Sequence, residues 1–183
     1  MTVAEEKAAL RREAAARRAE AARAAPGAAE ALAAHASALP PARIVSAYVA
    51  MRSEIDPMPL ALALAGRGAR LALPALVDRR MVFRAWTPGE PLVPATFGTR
   101  EPEGEELTPD LLLVPLLAFT REGVRLGYGA GHYDTWLGAH PHATAFGVAY
   151  AGQEFSALPR EPHDVPLAGI LTERERIATG GTP

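Results

Sequence analysis

The sequence predicts an α/β sandwich: three layers around a mostly parallel central sheet, Rossmann-like, preceded by Ala/Arg-rich helices. Three observations carry this expectation. From residue 43 onward, short β-branched or apolar runs alternate with helical segments, the signature of strand–helix–strand units. One run, Asp110-Leu111-Leu112-Leu113-Val114-Pro115, is apolar without alternation, as in a central strand buried on both faces. The chain is 183 residues long, one domain's worth, and too short for two ordinary domains with a linker.

Each element has its own reason. Residues 4–25 hold Ala, Glu, Arg and Lys with no Gly or Pro, all strong helix formers, and Pro26-Gly27 ends them. Lys7, Arg11 and Arg18 are spaced four and seven apart, so they project from one face of that helix. Residues 28–39 continue as a second Ala-rich helix, closed by Pro40-Pro41. Arg43–Val49 is β-branched and aromatic, a strand. Asp56-Pro57 reads as an N-cap followed by proline at the first helical position, opening a helix to about Ala65 that Gly66-Arg67-Gly68 stops. Arg70–Pro74 and Met81–Trp86 are further strands, and 87–108, rich in Pro, Gly and Glu, is loop. Thr144–Tyr150 and Val165–Leu171 complete the strands. We expect a single domain over residues 1–178 and an unstructured tail over 179–183.

Composition removes several function classes. With 19 Lys+Arg against 21 Asp+Glu, the net charge is −2, which argues against nucleic-acid binding, as do the four glutamates interspersed in the N-terminal helix. No apolar run approaches the ~20 residues a membrane span needs. The charged N-terminus lacks a secretory apolar core, so a cytoplasmic protein is expected. There is no cysteine, which excludes disulfides, thiolate metal sites and cysteine nucleophiles. Alanine occurs 39 times, and the basic residues are 18 arginines and the single Lys7. In a chain so biased toward arginine, a retained lysine hints that a compact ammonium is wanted there.

The most informative segment is Arg125-Leu126-Gly127-Tyr128-Gly129-Ala130-Gly131-His132-Tyr133-Asp134. Alternate glycines follow the most buried strand and lead into a helix read over Tyr133–Leu137. Glycines let backbone amides approach phosphate oxygens, and a helix N-terminus adds a favourable dipole. The G-x-G-x-G spacing is neither the dinucleotide fingerprint nor a P-loop. Arg125 offers a guanidinium for phosphate and Asp134 a carboxylate for a divalent cation.

Residues 109–134 resemble the 5-formyltetrahydrofolate cyclo-ligase family, also called methenyltetrahydrofolate synthetases. Lys7-Ala8-Ala9-Leu10-Arg11 is similar to the family's N-terminal K-x-x-L-R, and Ser53-Glu54-Ile55-Asp56 to its folate-side segment. Phe97-Gly98 with Glu101-Pro102 resembles its G-x-x-E-P turn, and Gln153, Pro159 and His163-Asp164-Val165-Pro166-Leu167 its C-terminal pattern. The resemblance implies ATP-dependent closure of 5-formyltetrahydrofolate to 5,10-methenyltetrahydrofolate, with Mg²⁺ and release of ADP and phosphate. It assigns ATP to Lys7, Arg11, Arg125, Leu126, Gly127, Tyr128, Gly129, Ala130, Gly131, His132 and Tyr133. The folate substrate falls on Met51, Asp56 and Tyr128–His132, and the metal on Asp134 and Asp164. Lys7, Arg125 and Tyr133 are the residues we expect to serve the chemistry, in a monomer. The alternative is a non-catalytic folate- or nucleotide-binding module on the same scaffold.

The chain departs from the family's common pattern at His132, where Tyr or Phe is usual, and at Thr120, Ala130 and Ala168. His140-Pro141-His142 and the Glu101–Glu106 loop read as solvated surface, Trp86 and Trp136 as packing residues, and His163 as a structural hydrogen-bonder.

Overall fold

A computed structural model describes residues 3–179. Helix α1 covers Val3–Ala24 and α2 covers Ala28–Ala33. The second helix was expected to run to 39; instead it tightens into a 3₁₀ turn, Ala34–Ala38. Leu39 is extended, with φ −86° and ψ 148°, because the ring of Pro40 bars its predecessor from helical backbone.

The first strand, β1 (Ile44–Ser46), leads through α3 (Met58–Gly66) to β2 (Arg70–Val77). The N-cap of α3 is Pro57, one residue later than expected; Asp56 stands just ahead of it, its Oδ1 accepting the Met58 amide at 2.9 Å. β3 (Arg80–Ala85) returns antiparallel to β2 through Asp78 and Arg79, both at positive φ (49° and 66°). That left-handed pair matches the twist of a two-residue hairpin.

The segment 87–108, expected as loop, contains three two-residue strands, β4 (Val93–Pro94), β5 (Arg100–Glu101) and β6 (Glu106–Leu107). Then come β7 (Leu111–Pro115) and the ribbon of β8 (Ala118–Phe119) with β9 (Arg125–Leu126). Helix α4 (His132–Ala139) is followed by β10 (Thr144–Val148), β11 (Gly169–Leu171) and β12 (Arg176–Ala178).

Eight strands form the main sheet in the order β12-β11-β10-β7-β1-β2-β3-β6. The central five are parallel, and antiparallel strands add to both edges. β7 is buried on both faces, as its apolar run implied. Leu111 and Leu113 join a cluster with Leu32, Leu60 and Leu64 under α2 and α3. Leu112 and Val114 join Phe83, Trp136 and Leu137 under α4. Trp136 meets Phe83 edge-on at 5.0 Å, the packing expected of it. Trp86 is half-buried against the α2–α3 cluster.

Helix α1 has little apolar surface. It contributes Ala14, with Leu10 and Ala15 beside it, to a small third cluster with Leu117, Ala118 and Leu126. Ala21 and Ala22 pack on the first cluster, and Lys7, Arg11, Arg17 and Arg18 add polar contacts. Of the tail read over 179–183, Thr179 is buried, and its hydroxyl donates to the Leu167 carbonyl. The remainder lies outside the described residues.

Candidate active site at the strand ends

From β1 the chain crosses over α3 to β2 on one side; from β7 it crosses over α4 to β10 on the other. The switch point therefore lies between β1 and β7, where open α/β sheets bind ligands beyond the strands' carboxyl ends. A cavity of about 440 Å³ opens there. Its walls are the segment after β1 (Tyr48–Met51 and Glu54), the turn Gly98–Glu101, and Gly127–Asp134 with Arg125 behind them. The segments expected to contact folate and ATP thus converge on one cavity.

The glycine segment needs its glycines in two places. Gly129 has φ 102° and Gly131 φ 68°, in the left-handed region that L side chains resist. A Cβ on Gly129 would also meet the Arg11 guanidinium carbon at 3.2 Å. Arg11 lies so close because its Nε donates to the Gly127 carbonyl at 3.0 Å. Gly131 is the N-cap of α4, so His132 and Tyr133 form that helix's first turn, one residue ahead of the helix expected.

Behind this segment, Arg125 is buried at 9 % exposure. Its guanidinium donates to Asp134 Oδ1 at 2.5 Å and to the Val165 carbonyl at 2.6 Å. The same Asp134 oxygen accepts the Val165 amide at 2.9 Å. One residue earlier, Asp164 Oδ2 accepts from Lys7 Nζ at 2.7 Å and from the Glu161 amide at 2.8 Å. Lys7 Nζ also reaches Glu161 Oε2 at 2.8 Å. Asp134 thus contacts the residue that follows Asp164, while the donor atoms that lie within 4.8 Å of one another around Asp164 are those of Glu161 and His163.

Several expected residues take positions of their own. Lys7 is buried between two carboxylates and, like Arg11, does not line the cavity. Leu126 is a core residue beneath α1. Asp56 is exposed and outside the cavity. Met51, Tyr128, Gly129, Ala130, Gly131, His132 and Tyr133 all line it. Glu54, which no residue pattern singles out, lines the cavity where Asp56 does not. Its neighbour in the segment, two residues on, is held at the start of α3, and one carboxylate cannot serve both places. Glu101, read as solvated, is also in the wall and accepts the Leu76 amide at 3.1 Å. His163 is exposed, with Nε2 at 3.9 Å from Glu161. His140 stacks on Trp136 at 3.8 Å and bonds its carbonyl through Nδ1 at 2.7 Å.

Protonation follows the packing. Burial opposes the charge on Lys7, but its bonds and proximity to Asp164 and Glu161 outweigh that and raise its pKa. Burial likewise opposes the Asp164 carboxylate, yet the Lys7 bond, the Glu161 amide and the nearby charges of Lys7 and His163 hold it below the usual value. Burial lowers Arg125, with Asp134 opposing. Burial and the Glu54 charge push Tyr133 well above an ordinary phenol, so at neutral pH it is a hydrogen-bond donor and not a base.

A doubly wound sheet with a glycine-walled crevice at its switch point defines the class as an α/β ligand-binding fold. The chain belongs to the 5-formyltetrahydrofolate cyclo-ligase family, whose model matches residues 3–173. It is 38 % identical over 149 residues to the 5-formyltetrahydrofolate cyclo-ligase of Mycolicibacterium smegmatis, covering 74 % of this chain and 76 % of that one. It is 32 % identical over 142 residues to the Escherichia coli K12 protein of the same name, covering 72 % and 78 %. The solved Aquifex aeolicus 5,10-methenyltetrahydrofolate synthetase superposes with a TM-score of 0.79 at 29 % identity, over 97 % of this chain and 94 % of that one.

Proposed function

We propose that this protein closes 5-formyltetrahydrofolate to 5,10-methenyltetrahydrofolate at the expense of ATP, in a cytoplasmic monomer. The observation that carries this reading is convergence: the segment after β1 and the glycine segment, which the sequence resemblance assigns to folate and to ATP, wall a single cavity. No helix among the described residues is long and apolar enough to cross a membrane.

The chemistry suits such a cavity. A formamide oxygen is a poor leaving group. In our reading it attacks the ATP γ-phosphorus, the bond to ADP breaks, and an imidate-like phosphate ester forms. Nitrogen N10 then attacks the activated carbon, phosphate departs, and N10 gives up its proton. Positioning and charge neutralisation matter more here than a protein nucleophile.

The amides of Gly127–Gly131 and the first turn of α4 suit phosphate oxygens. Arg11, held on the Gly127 carbonyl, adds positive charge beside them. At ~4 Å and an effective dielectric near 20, each cation–phosphate contact contributes about 4 kcal/mol of gross attraction before desolvation. Tyr133 remains a neutral phenol and is assigned to donating a hydrogen bond in the cavity. Lys7 acts from behind the loop, through Asp164 and Glu161.

The donor set fits Mg²⁺. Asp134 and Asp164 each commit one oxygen to the hydrogen bonds above; the other accepts none among the described residues. Free carboxylate oxygens are the hard donors this ion prefers, so these two residues would hold it. When bound, it supplies neutralisation of phosphate charge.

Purified protein supplied with ATP and Mg²⁺ should release ADP and phosphate in equal amounts only when 5-formyltetrahydrofolate is added. Binding of both ligands without ADP release overturns the reading in favour of a binding module.

A further inference from the structure

Arg18 lies seven residues beyond Arg11 on α1. It is 3 % exposed and does not line the cavity. Its Nε donates to Ser53 Oγ at 3.0 Å, and its Nη1 donates to the Tyr128 hydroxyl while lying 3.7 Å from Glu54 Oε1. The Tyr128 hydroxyl donates to that same Glu54 oxygen. The other Glu54 oxygen accepts the Met51 amide at 2.7 Å. One buried guanidinium therefore joins the two opposite walls of the cavity, the segment after β1 and the glycine segment.

Resting on the cyclo-ligase reading, we propose that Arg18 is a positioning residue for the folate side of the site: it fixes the rotamer of Glu54 and holds Tyr128 across the cavity. Glu54 has a side chain only 9 % exposed. Without Arg18 its remaining partners are neutral, and a desolvated carboxylate with neutral partners turns toward water. Arginine suits the place because its planar fork serves Ser53, Tyr128 and Glu54 at once; a lysine ammonium has no such fixed fork.

Arg18 differs in this from its neighbour Arg17. The Arg17 guanidinium lies 4.2 Å over the Phe155 ring and donates to the Glu154 carbonyl at 3.4 Å. That contact also pins α1, but it lies away from the cavity wall. A helix-docking role alone would be shared by both arginines.

The test is steady-state kinetics with each substrate varied in turn. Arg18→Gln should raise KM for 5-formyltetrahydrofolate at least tenfold and change KM for ATP less than twofold; Arg17→Ala should change neither by more than twofold. In a Glu54→Gln background, Arg18→Gln should add less than a threefold loss in kcat/KM, because both changes remove the same device. If both KM values rise together, or if the two losses multiply, the proposal is overturned. Should Arg18→Gln lose its helical circular dichroism, Arg18→Lys keeps the charge without the fork, and the same split between the two KM values decides. If wild-type protein makes no methenyl product, the cyclo-ligase reading fails on its own. Fluorescence titration of 5-formyltetrahydrofolate into wild type and the Arg18 variant then decides: equal affinity overturns the positioning role, and a tenfold loss supports it.

Discussion

Asp134→Asn separates what this carboxylate does for the fold from what it does for the nucleotide. Its Oδ1 receives the Arg125 guanidinium at 2.5 Å, between side chains 6 % and 20 % exposed, and the Val165 amide at 2.9 Å. Removing one partner of a buried pair costs about 3–5 kcal/mol, because the other charge stays buried alone. Asparagine keeps a carbonyl oxygen for both donors, so the lower end, about 3 kcal/mol, applies. In a domain of this size each kcal/mol moves Tm by roughly 2–4 °C, a drop of about 6–12 °C. The assay is thermal unfolding in chelator without nucleotide, where only the ion pair is read. A drop of less than about 2 °C would show that Arg125 does not depend on this charge and would refute the reasoning. If Asp134 also holds Mg²⁺, the folded variant below its Tm should in addition need several-fold more Mg²⁺ for half-maximal ADP release.

Other outcomes follow from the same contacts. Lys7→Arg should lose most activity while remaining folded, because a guanidinium is too large for a space where one nitrogen sits 2.8 Å and 2.7 Å from two carboxylates; full activity would make the lone lysine an accident of composition. The Lys7–Asp164 pair should stabilise equally from about pH 5 to pH 9. Asp164 is depressed, so its share is present above the ordinary carboxylate range and is lost as pH falls through its lowered pKa. Lys7 is raised, so its share is lost only as pH rises through its elevated pKa. The Tm difference between wild type and Lys7→Ala, measured across pH, checks this, and a change within that window contradicts it. Ser46 is fully buried, and its hydroxyl has no hydrogen-bond partner among the described residues. Ser46→Ala should therefore be neutral or stabilise by up to about 1 kcal/mol in urea unfolding, and a loss of that size would mean the hydroxyl is satisfied.

The legible parts of this fold were those with strong local causes. The unbroken apolar run at 111–115 could only be a strand covered on both faces, and it became the sheet's centre. The alternate glycines marked the crevice wall because backbone at φ 102° and 68° requires them. The two-residue strands at 93–94, 118–119 and 125–126 escaped because no period can be read in so few residues. Helix α1 was the hardest to judge. Its buried face is marked by Lys7, Ala14 and Arg18 rather than by large apolar side chains, so spacing alone described a solvated stripe as well as a docked one. Glu54 and Asp56 show the same limit inside the site. Two carboxylates two residues apart look alike in sequence, and only the hydrogen bond from Met58 to Asp56 and the one from Tyr128 to Glu54 tell the helix entry from the cavity wall.

An ATP-driven ring closure, at the cavity where the two walls meet, is the activity expected of this protein. It is tested most directly by following the methenyl chromophore by absorbance as purified protein meets 5-formyltetrahydrofolate, with and without Mg-ATP. Product should form at a rate proportional to enzyme, only with ATP, and with one ADP for each methenyl group formed. No chromophore at high enzyme concentration, in an assay where a known cyclo-ligase works, would contradict it.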